Sequence, residues 1–222
     1  MGTLFLVRHG QASFGADDYD VLSPLGITQT VRLGEYFKFK GITFDAVLTG
    51  TLQRQVSTLA GISKGMNTKL DALAWPGLNE YDSHAVIATV HAGKLEKPST
   101  PEMYRHHFRL LKQGLQKWMD GTANPQGMPA YPDFLYGVTS ALDHVRTHCT
   151  GNVLLVSSGG PIATAVGYVL GCKSETTIEL NLRIRNSSVT EFAFTPKRHM
   201  LVTYNTLPHL DAPEYADWLT YA

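Results

Sequence analysis

The first apolar run of the chain, Leu4-Phe5-Leu6-Val7, stops at Arg8-His9-Gly10-Gln11. Four consecutive apolar residues ending near a glycine suit a short strand buried on both faces of a parallel sheet. Such a strand delivers the residues past its carboxyl end to the crevice where α/β proteins bind ligands. Residues 11–22 read as a long loop leaving from that end, and loops of this length inside compact domains are usually functional. Ser23-Pro24 predicts an N-cap with proline in the first helical turn. Leu25, Thr28, Val31, Leu33, Tyr36 and Phe37 then mark an amphipathic helix that stops at Gly41. Asp45-Ala46-Val47-Leu48 predicts a second strand, closing on Thr49-Gly50. The helix expected over residues 51–62 places Leu52, Val56, Leu59 and Ala60 on its buried side and Arg54 in its first turn. Residues 69–73 predict a third strand, which Trp75-Pro76-Gly77 breaks into a loop carrying Glu80, Tyr81, Asp82 and His84.

The alternation of strand and helix lapses between residues 86 and 132, where two helical patterns (85–92 and 101–119) precede a loop rich in proline and glycine. That span is too small to fold alone and reads as a helical insertion covering the mouth of a single domain, residues 1–222. A helix over 134–149, with Val138, Ala141, Leu142 and Val145 inward, restores the rhythm. A strand over 152–156 follows, then Ser157-Ser158-Gly159-Gly160-Pro161, an apolar helix to Leu170 and a shorter helix over 174–182. Residues 188–194 alternate with period two and turn through Thr195-Pro196-Lys197-Arg198 into a matching run at 200–204, the pattern of an edge hairpin. From Pro208 onward the chain is aromatic and acidic and predicts no regular element. Together these elements give an α/β fold, a three-layer α/β/α sandwich with a mostly parallel central sheet.

Composition narrows the partners. The 222 residues carry 19 basic and 19 acidic side chains, a formal net charge of +0. There is no basic field of the kind nucleic acids or anionic membranes require. The apolar start is interrupted too early for a signal peptide, and no run approaches a membrane span. Cys149 and Cys172 form neither a disulfide framework nor a metal pattern, so a reducing cytoplasmic location is expected.

The predicted topology brings several reactive residues to one crevice: Arg8-His9 after the first strand, Arg54 past the second, Glu80 past the third and Ser158-Gly159-Gly160 at a helix start. A helix N-terminus entered through glycines favours an anion, and two arginines match the fork geometry of a phosphate. The ligand implied is a phosphoryl group, carried by a small phosphorylated substrate or a phosphorylated protein. The pair His144 and His148, spaced i,i+4, lacks a third metal ligand. Arg105, His106, His107, Arg109 and Lys112 make a basic helix face within the insertion, read as solvated.

Arg8-His9-Gly10 after an apolar strand, Ser23 to Gly26 opening the helix, Thr51-Leu52-Gln53-Arg54, and Leu78-Asn79-Glu80 resemble the histidine phosphatase (phosphoglycerate mutase-like) superfamily, as does the tail from Asn205 to Leu210. The resemblance covers most of the chain except the insertion. It implies that His9 attacks phosphorus and becomes a phosphohistidine, with its other ring nitrogen held by a backbone carbonyl. Arg8 and Arg54 would clamp the equatorial oxygens. Glu80 would protonate the leaving oxygen and then activate water, a role that needs a raised pKa. No metal or cofactor is expected.

The chain departs from the family pattern in three places. Ser158 stands where the second histidine is expected, with His84 as a substitute on the Glu80 loop. Gly15 stands where many members have asparagine, leaving Gln11 and Ser13 as the nearest polar groups. The Trp-Asn signature and basic-aromatic segment of true phosphoglycerate mutases are absent. The expected activity is therefore phosphomonoester hydrolysis. The alternatives are a catalytically weakened phosphate-binding member of the same fold and a mutase-type phosphotransferase.

Overall fold

The computed structural model describes residues 1–13, 20–93 and 95–221. Among these, six strands form one mixed sheet in the order β3-β2-β4-β1-β5-β6. They are β1 (Gly2–Arg8), β2 (Ala46–Thr49), β3 (Leu73–Ala74), β4 (Gly151–Ser157), β5 (Val189–Thr195) and β6 (Arg198–Thr206). β3, β2, β4 and β1 run parallel, while β5 and β6 form the antiparallel hairpin at the edge.

Leu4, Phe5, Leu6 and Val7 are all buried, and the period of two divides them between two cores. Phe5 and Val7 join Leu33 and Phe37 of helix α1 (Pro24–Phe39) and Leu59 and Ile62 of helix α2 (Gln53–Met66). Leu4 and Leu6 point the other way, into a cluster with Val138, Leu142 and Val145 of α5 (Tyr131–His148) and Ile162 and Val166 of α6 (Gly159–Leu170). A strand buried on both faces requires a helical layer on each side, and β4 repeats the division with Val153 and Leu155 against Leu154 and Val156. Helices α3 (Ser83–Ala88) and α4 (Pro101–Met119) lie on the α5/α6 side and contribute Val86, Leu115 and Trp118 to that cluster. Helix α7 (Ser174–Arg183) packs beside α6.

Two expectations need correction. The third strand is only Leu73–Ala74, and residues 69–72 are irregular. β3 pairs solely with β2 and both its residues are exposed, so the apolar character of Leu70 and Ala72 serves packing against the α1/α2 core instead. The buried side of α2 also differs: Val56 and Ala60 face solvent, and the helix turns Arg54, Gln55, Thr58, Leu59, Gly61 and Ile62 inward. Hydrogen bonding explains the polar residues, since Thr58 Oγ1 accepts from Gly10 N and donates to Arg54 O. Close approach explains Gly61, where a Cβ would stand 1.9 Å from Thr30 Oγ1 of α1.

The segment after β6, for which no element is predicted, returns to the sheet. It forms short 3₁₀ turns at Pro208–Leu210 and Pro213–Trp218. His209 is buried, with Nε2 2.9 Å from Ser187 Oγ and no hydrogen-bond partner for Nδ1 among the described residues. Burial, and then Arg32, pull its pKa down to about 3. The unfolded chain, with an ordinary histidine near 6.5, takes up a proton first as pH falls. Stability from this group is therefore complete above about pH 6.5 and is lost as pH drops toward 3, up to about 5 kcal/mol. Urea denaturation across that window should show the loss, and His209→Phe should flatten the profile. An unchanged slope in the variant would refute this role. Among the described residues no helix is long and apolar enough to cross a membrane.

Candidate active site

The parallel strands end on one side of the sheet, where β1 leads to His9, β2 to the start of α2, and β4 to Ser158 and α6. The backbone of His9 is fixed first. Its N–H donates to Ser157 O at 2.9 Å, and its carbonyl accepts from Ser187 N at 3.1 Å and from Asn186 Nδ2 at 3.4 Å. Ser187 holds the left-handed conformation at φ 55°, a costly geometry for a residue other than glycine. The strain presents its N–H to His9.

His9 is 2% exposed. Nδ1 lies 2.7 Å from Gly10 O; a carbonyl only accepts, so Nδ1 carries the proton and Nε2 bears the lone pair. Arg54 Nε donates to that Nε2 at 3.3 Å. Burial, then the charges of Arg8 and Arg54, hold the imidazole pKa well below its ordinary value, outweighing the Gly10 contact. His9 is neutral near pH 7, with its electron pair facing an arginine.

Arg8 and Arg54 are 8% and 7% exposed. Arg8 Nη1 donates to Ile184 O at 2.6 Å and to Tyr221 O at 2.7 Å, so the chain's last turns fix it. The same segment reaches Gln29 and Asn186, through Trp218 O, Thr220 Oγ1 and Thr220 O. Arg54 is oriented by Asp20, whose Oδ1 accepts from Nη1 at 2.8 Å. The Asp20 carboxylate also accepts from Gln53 N and Arg54 N, the first backbone donors of α2. Sequence reasoning missed Asp20. The available signal was Leu52, which occupies the N-cap of α2 with no capping side chain; a helix start without its own acceptor draws one from elsewhere.

Glu80 has both carboxylate oxygens on Gly160 N, at 3.1 and 3.2 Å, with Oε1 also accepting from Tyr81 N. Burial raises its pKa, and the Gly160 bond and the two arginines only partly offset that. The glycine turn at the start of α6 therefore gives its Gly160 N–H to Glu80, whereas the sequence suggested an incoming anion would take it. A Cβ at Gly160 would lie 2.2 Å from Glu80 Oε1 and 2.6 Å from the Tyr81 ring. Gly160→Ala should displace the carboxyl and lower kcat about 10²-fold with little change in secondary structure; kinetics beside circular dichroism check this, and full activity would count against it.

Other predicted residues fall into two groups. Ser158 is fully buried at the N-cap of α6, its Oγ accepting from Gln55 Nε2 at 2.9 Å. A Cβ on Gly159 would stand 2.9 Å from Asn181 Oδ1 and 3.0 Å from Ile184 Cγ2, with Arg8 Nε further off at 3.7 Å. Gln11 instead turns its Oε1 to Ser23 Oγ, and Ser13 pairs through its backbone with Val21. Gly15 lies outside the described residues. The structure does not bring His84 to the other residues: its side chain is 97% exposed, 3.7 Å from Asp82. Asp82 caps α3 and takes the N–H groups of His84 and Ala85, which directs the following histidine ring to solvent. His144 and His148 stack at 4.8 Å, and among the described residues no three His, Cys, Asp or Glu side chains are grouped to hold a metal ion.

The family model described as histidine phosphatase superfamily (branch 1) matches residues 4–207. A 2,3-bisphosphoglycerate-dependent phosphoglycerate mutase from Bartonella henselae is 22% identical over 192 residues, 81% of this chain and 87% of that protein. Phosphoserine phosphatase from Entamoeba histolytica, in complex with 3-phosphoglyceric acid, superposes with a TM-score of 0.66 at 20% identity, covering 95% of this chain and 100% of that one. A mycobacterial glucosyl-3-phosphoglycerate phosphatase complexed with VO3 gives 0.65 at 20% identity, covering 93% and 100%. At such identities the solved structures establish a shared fold.

Proposed function

The chain belongs to the histidine phosphatase superfamily, branch 1, and from that premise we propose that it is a metal-independent phosphomonoester hydrolase working through a phosphohistidine on His9. The observation that carries the reading is the neutral His9, with Nδ1 on Gly10 O and Nε2 facing Arg54 Nε. A nucleophile of this kind needs an electron pair at one fixed atom and a cation where negative charge develops.

In the first step His9 Nε2 attacks phosphorus in line, the P–O bond to the leaving group breaks, and the Glu80 proton passes to the departing oxygen. Arg54, released from Nε2 onto the phosphoryl oxygens, and Arg8 neutralise the charge on the equatorial oxygens. In the second step the Glu80 carboxylate takes a proton from water, the water oxygen attacks phosphorus, and the N–P bond breaks to return neutral His9 and inorganic phosphate. Glu80 must begin protonated, which its burial favours. Ser158 supplies a neutral hydrogen bond to the phosphoryl group, and Gly159 leaves room for Asn181 and Ile184 beside it.

Small phosphorylated molecules are the substrate class we favour; the compared structures carry phosphoserine and 3-phosphoglyceric acid in their proteins. Residues 86–132 form the cover that selects among them, joined to the acid through Tyr81, which packs on Trp118 of α4 and receives a hydrogen bond from Asn181 of α7. The free thiols of Cys149 and Cys172 suit a cytoplasmic setting. The uncharged Ser158 favours one second reading, a weakened phosphate-binding member of the family. Turnover of a phosphoester panel in the presence of a chelator separates the two. Robust hydrolysis supports the enzyme, whereas vanadate binding without turnover supports the weakened member. Turnover that requires 2,3-bisphosphoglycerate would identify a mutase instead.

A further inference from the structure

We infer that Gln55 is a positioning residue that aims the hydroxyl proton of Ser158 into the phosphoryl site; the inference rests on the hydrolase reading above. Gln55 is fully buried in the first turn of α2, and three contacts define its amide. Oε1 accepts from Leu52 N at 3.2 Å. Nε2 donates to Leu78 O at 2.9 Å and to Ser158 Oγ at 2.9 Å. A backbone carbonyl only accepts and a backbone N–H only donates, so the amide cannot be flipped without losing two of these bonds.

The consequence falls on Ser158. Its oxygen accepts a hydrogen bond from Gln55 Nε2, so its own proton points away from the amide. Serine at a helix N-cap ordinarily accepts from the helix's first backbone donors, yet Ser158 makes no such bond. Its neighbours along the chain border the site. Ser157 O accepts a hydrogen bond from His9 N, Gly159 lies near Arg8, and Gly160 N holds Glu80. Residues 157–160 thus border nucleophile, arginine and acid in succession, with Ser158 among them. A buried hydroxyl whose oxygen is already engaged is a pre-oriented donor, the arrangement that stabilises charge developing on a transferring group. Where the family resemblance leads one to expect a histidine, the chain holds an amide–hydroxyl pair with no titrating group. Its contribution is therefore independent of pH across the neutral range.

A double-mutant cycle tests this, with Ser158→Ala, Gln55→Met and the combined variant read by kcat/KM for p-nitrophenyl phosphate and by orthovanadate affinity in calorimetry. Ser158→Ala should lower kcat/KM about 10²-fold, as loss of one preorganised donor does, and should weaken vanadate binding. Gln55→Met should cost about 10-fold alone and less than about 2-fold in the Ser158→Ala background, because it acts through the hydroxyl. Ser158→Thr, which keeps the hydroxyl, should retain most activity and guards against a folding defect in the alanine variant. Equal losses from Gln55→Met in both backgrounds, or vanadate affinity indifferent to Ser158→Ala in a folded protein, would overturn the inference and leave the hydrolase reading intact. A wild-type protein that neither binds vanadate nor turns over substrate would remove both.

Discussion

Replacing His9 by alanine is expected to reduce hydrolysis of p-nitrophenyl phosphate by at least about 10⁴-fold, the scale on which removal of a covalent nucleophile acts. The fold should survive, because the backbone of the residue is itself anchored to Ser157 and Ser187. The ring's polar contacts are Gly10 O and Arg54 Nε. Alanine frees Arg54 to meet the anion without obstruction, so phosphate or vanadate should still bind. An intact site that binds but does not turn over is the expected signature, checked by pairing steady-state kinetics with calorimetry. Residual activity within about 10-fold of wild type would mean that another group attacks phosphorus, because the remaining electrostatic stabilisation cannot replace a nucleophile.

Glu80→Gln should have the second-largest effect, and its size should depend on the leaving group. The glutamine keeps an acceptor for Gly160 N and is near-isosteric, so the loop around Tyr81 should hold. An alkyl phosphate needs a proton on the departing oxygen, and its kcat should fall about 10⁴-fold, the upper end of general acid–base contributions. p-Nitrophenolate leaves without that proton, so its first step should be spared while attack by water on the phosphoenzyme remains slow. Stopped-flow absorbance should then show a burst of product close to one equivalent of enzyme, followed by a slow steady state. A uniform loss across leaving groups, with no burst, would argue that Glu80 only shapes the site. In the wild type, the acid's raised pKa and the nucleophile's lowered pKa widen the interval in which Glu80 is protonated and His9 neutral. Activity should fall on the alkaline side as Glu80 loses its proton and on the acid side as His9 gains one.

The parts of the fold written as simple periodicities are legible in the sequence. β1 is an unbroken apolar run buried on both faces, and α4 and the inward face of α5 follow the helical pattern of their apolar residues. β3 is shorter than its pattern because Leu70 and Ala72 are apolar for a reason other than strand pairing. α2 buries Leu59 as its pattern predicts but exposes Val56 and Ala60, for a more instructive reason. Beside Leu59 and Ile62, its inward positions Arg54, Gln55 and Thr58 are polar because they serve the site, and a rule that turns apolar residues inward misses them. Arg8, His9 and Arg54 are legible because each stands at a strand end or helix start, and Glu80 because it lies on the loop that follows β3. Asp20 and Gln55 are not, because their significance lies in contacts across 33 to 103 positions of sequence. His84 is suggested by its nearness to Glu80 along the chain, although the Asp82 cap turns it outward.

The central claim, that His9 carries the phosphoryl group, is tested most directly by trapping it. Enzyme mixed briefly with a radiolabelled phosphomonoester and quenched in alkali should retain label that survives base, is released by mild acid, and maps to the peptide containing His9; Glu80→Gln should accumulate more of it and His9→Ala none. Label that is stable in acid and lost in base, or that maps elsewhere, or no label in any variant while wild type turns over, would contradict the account.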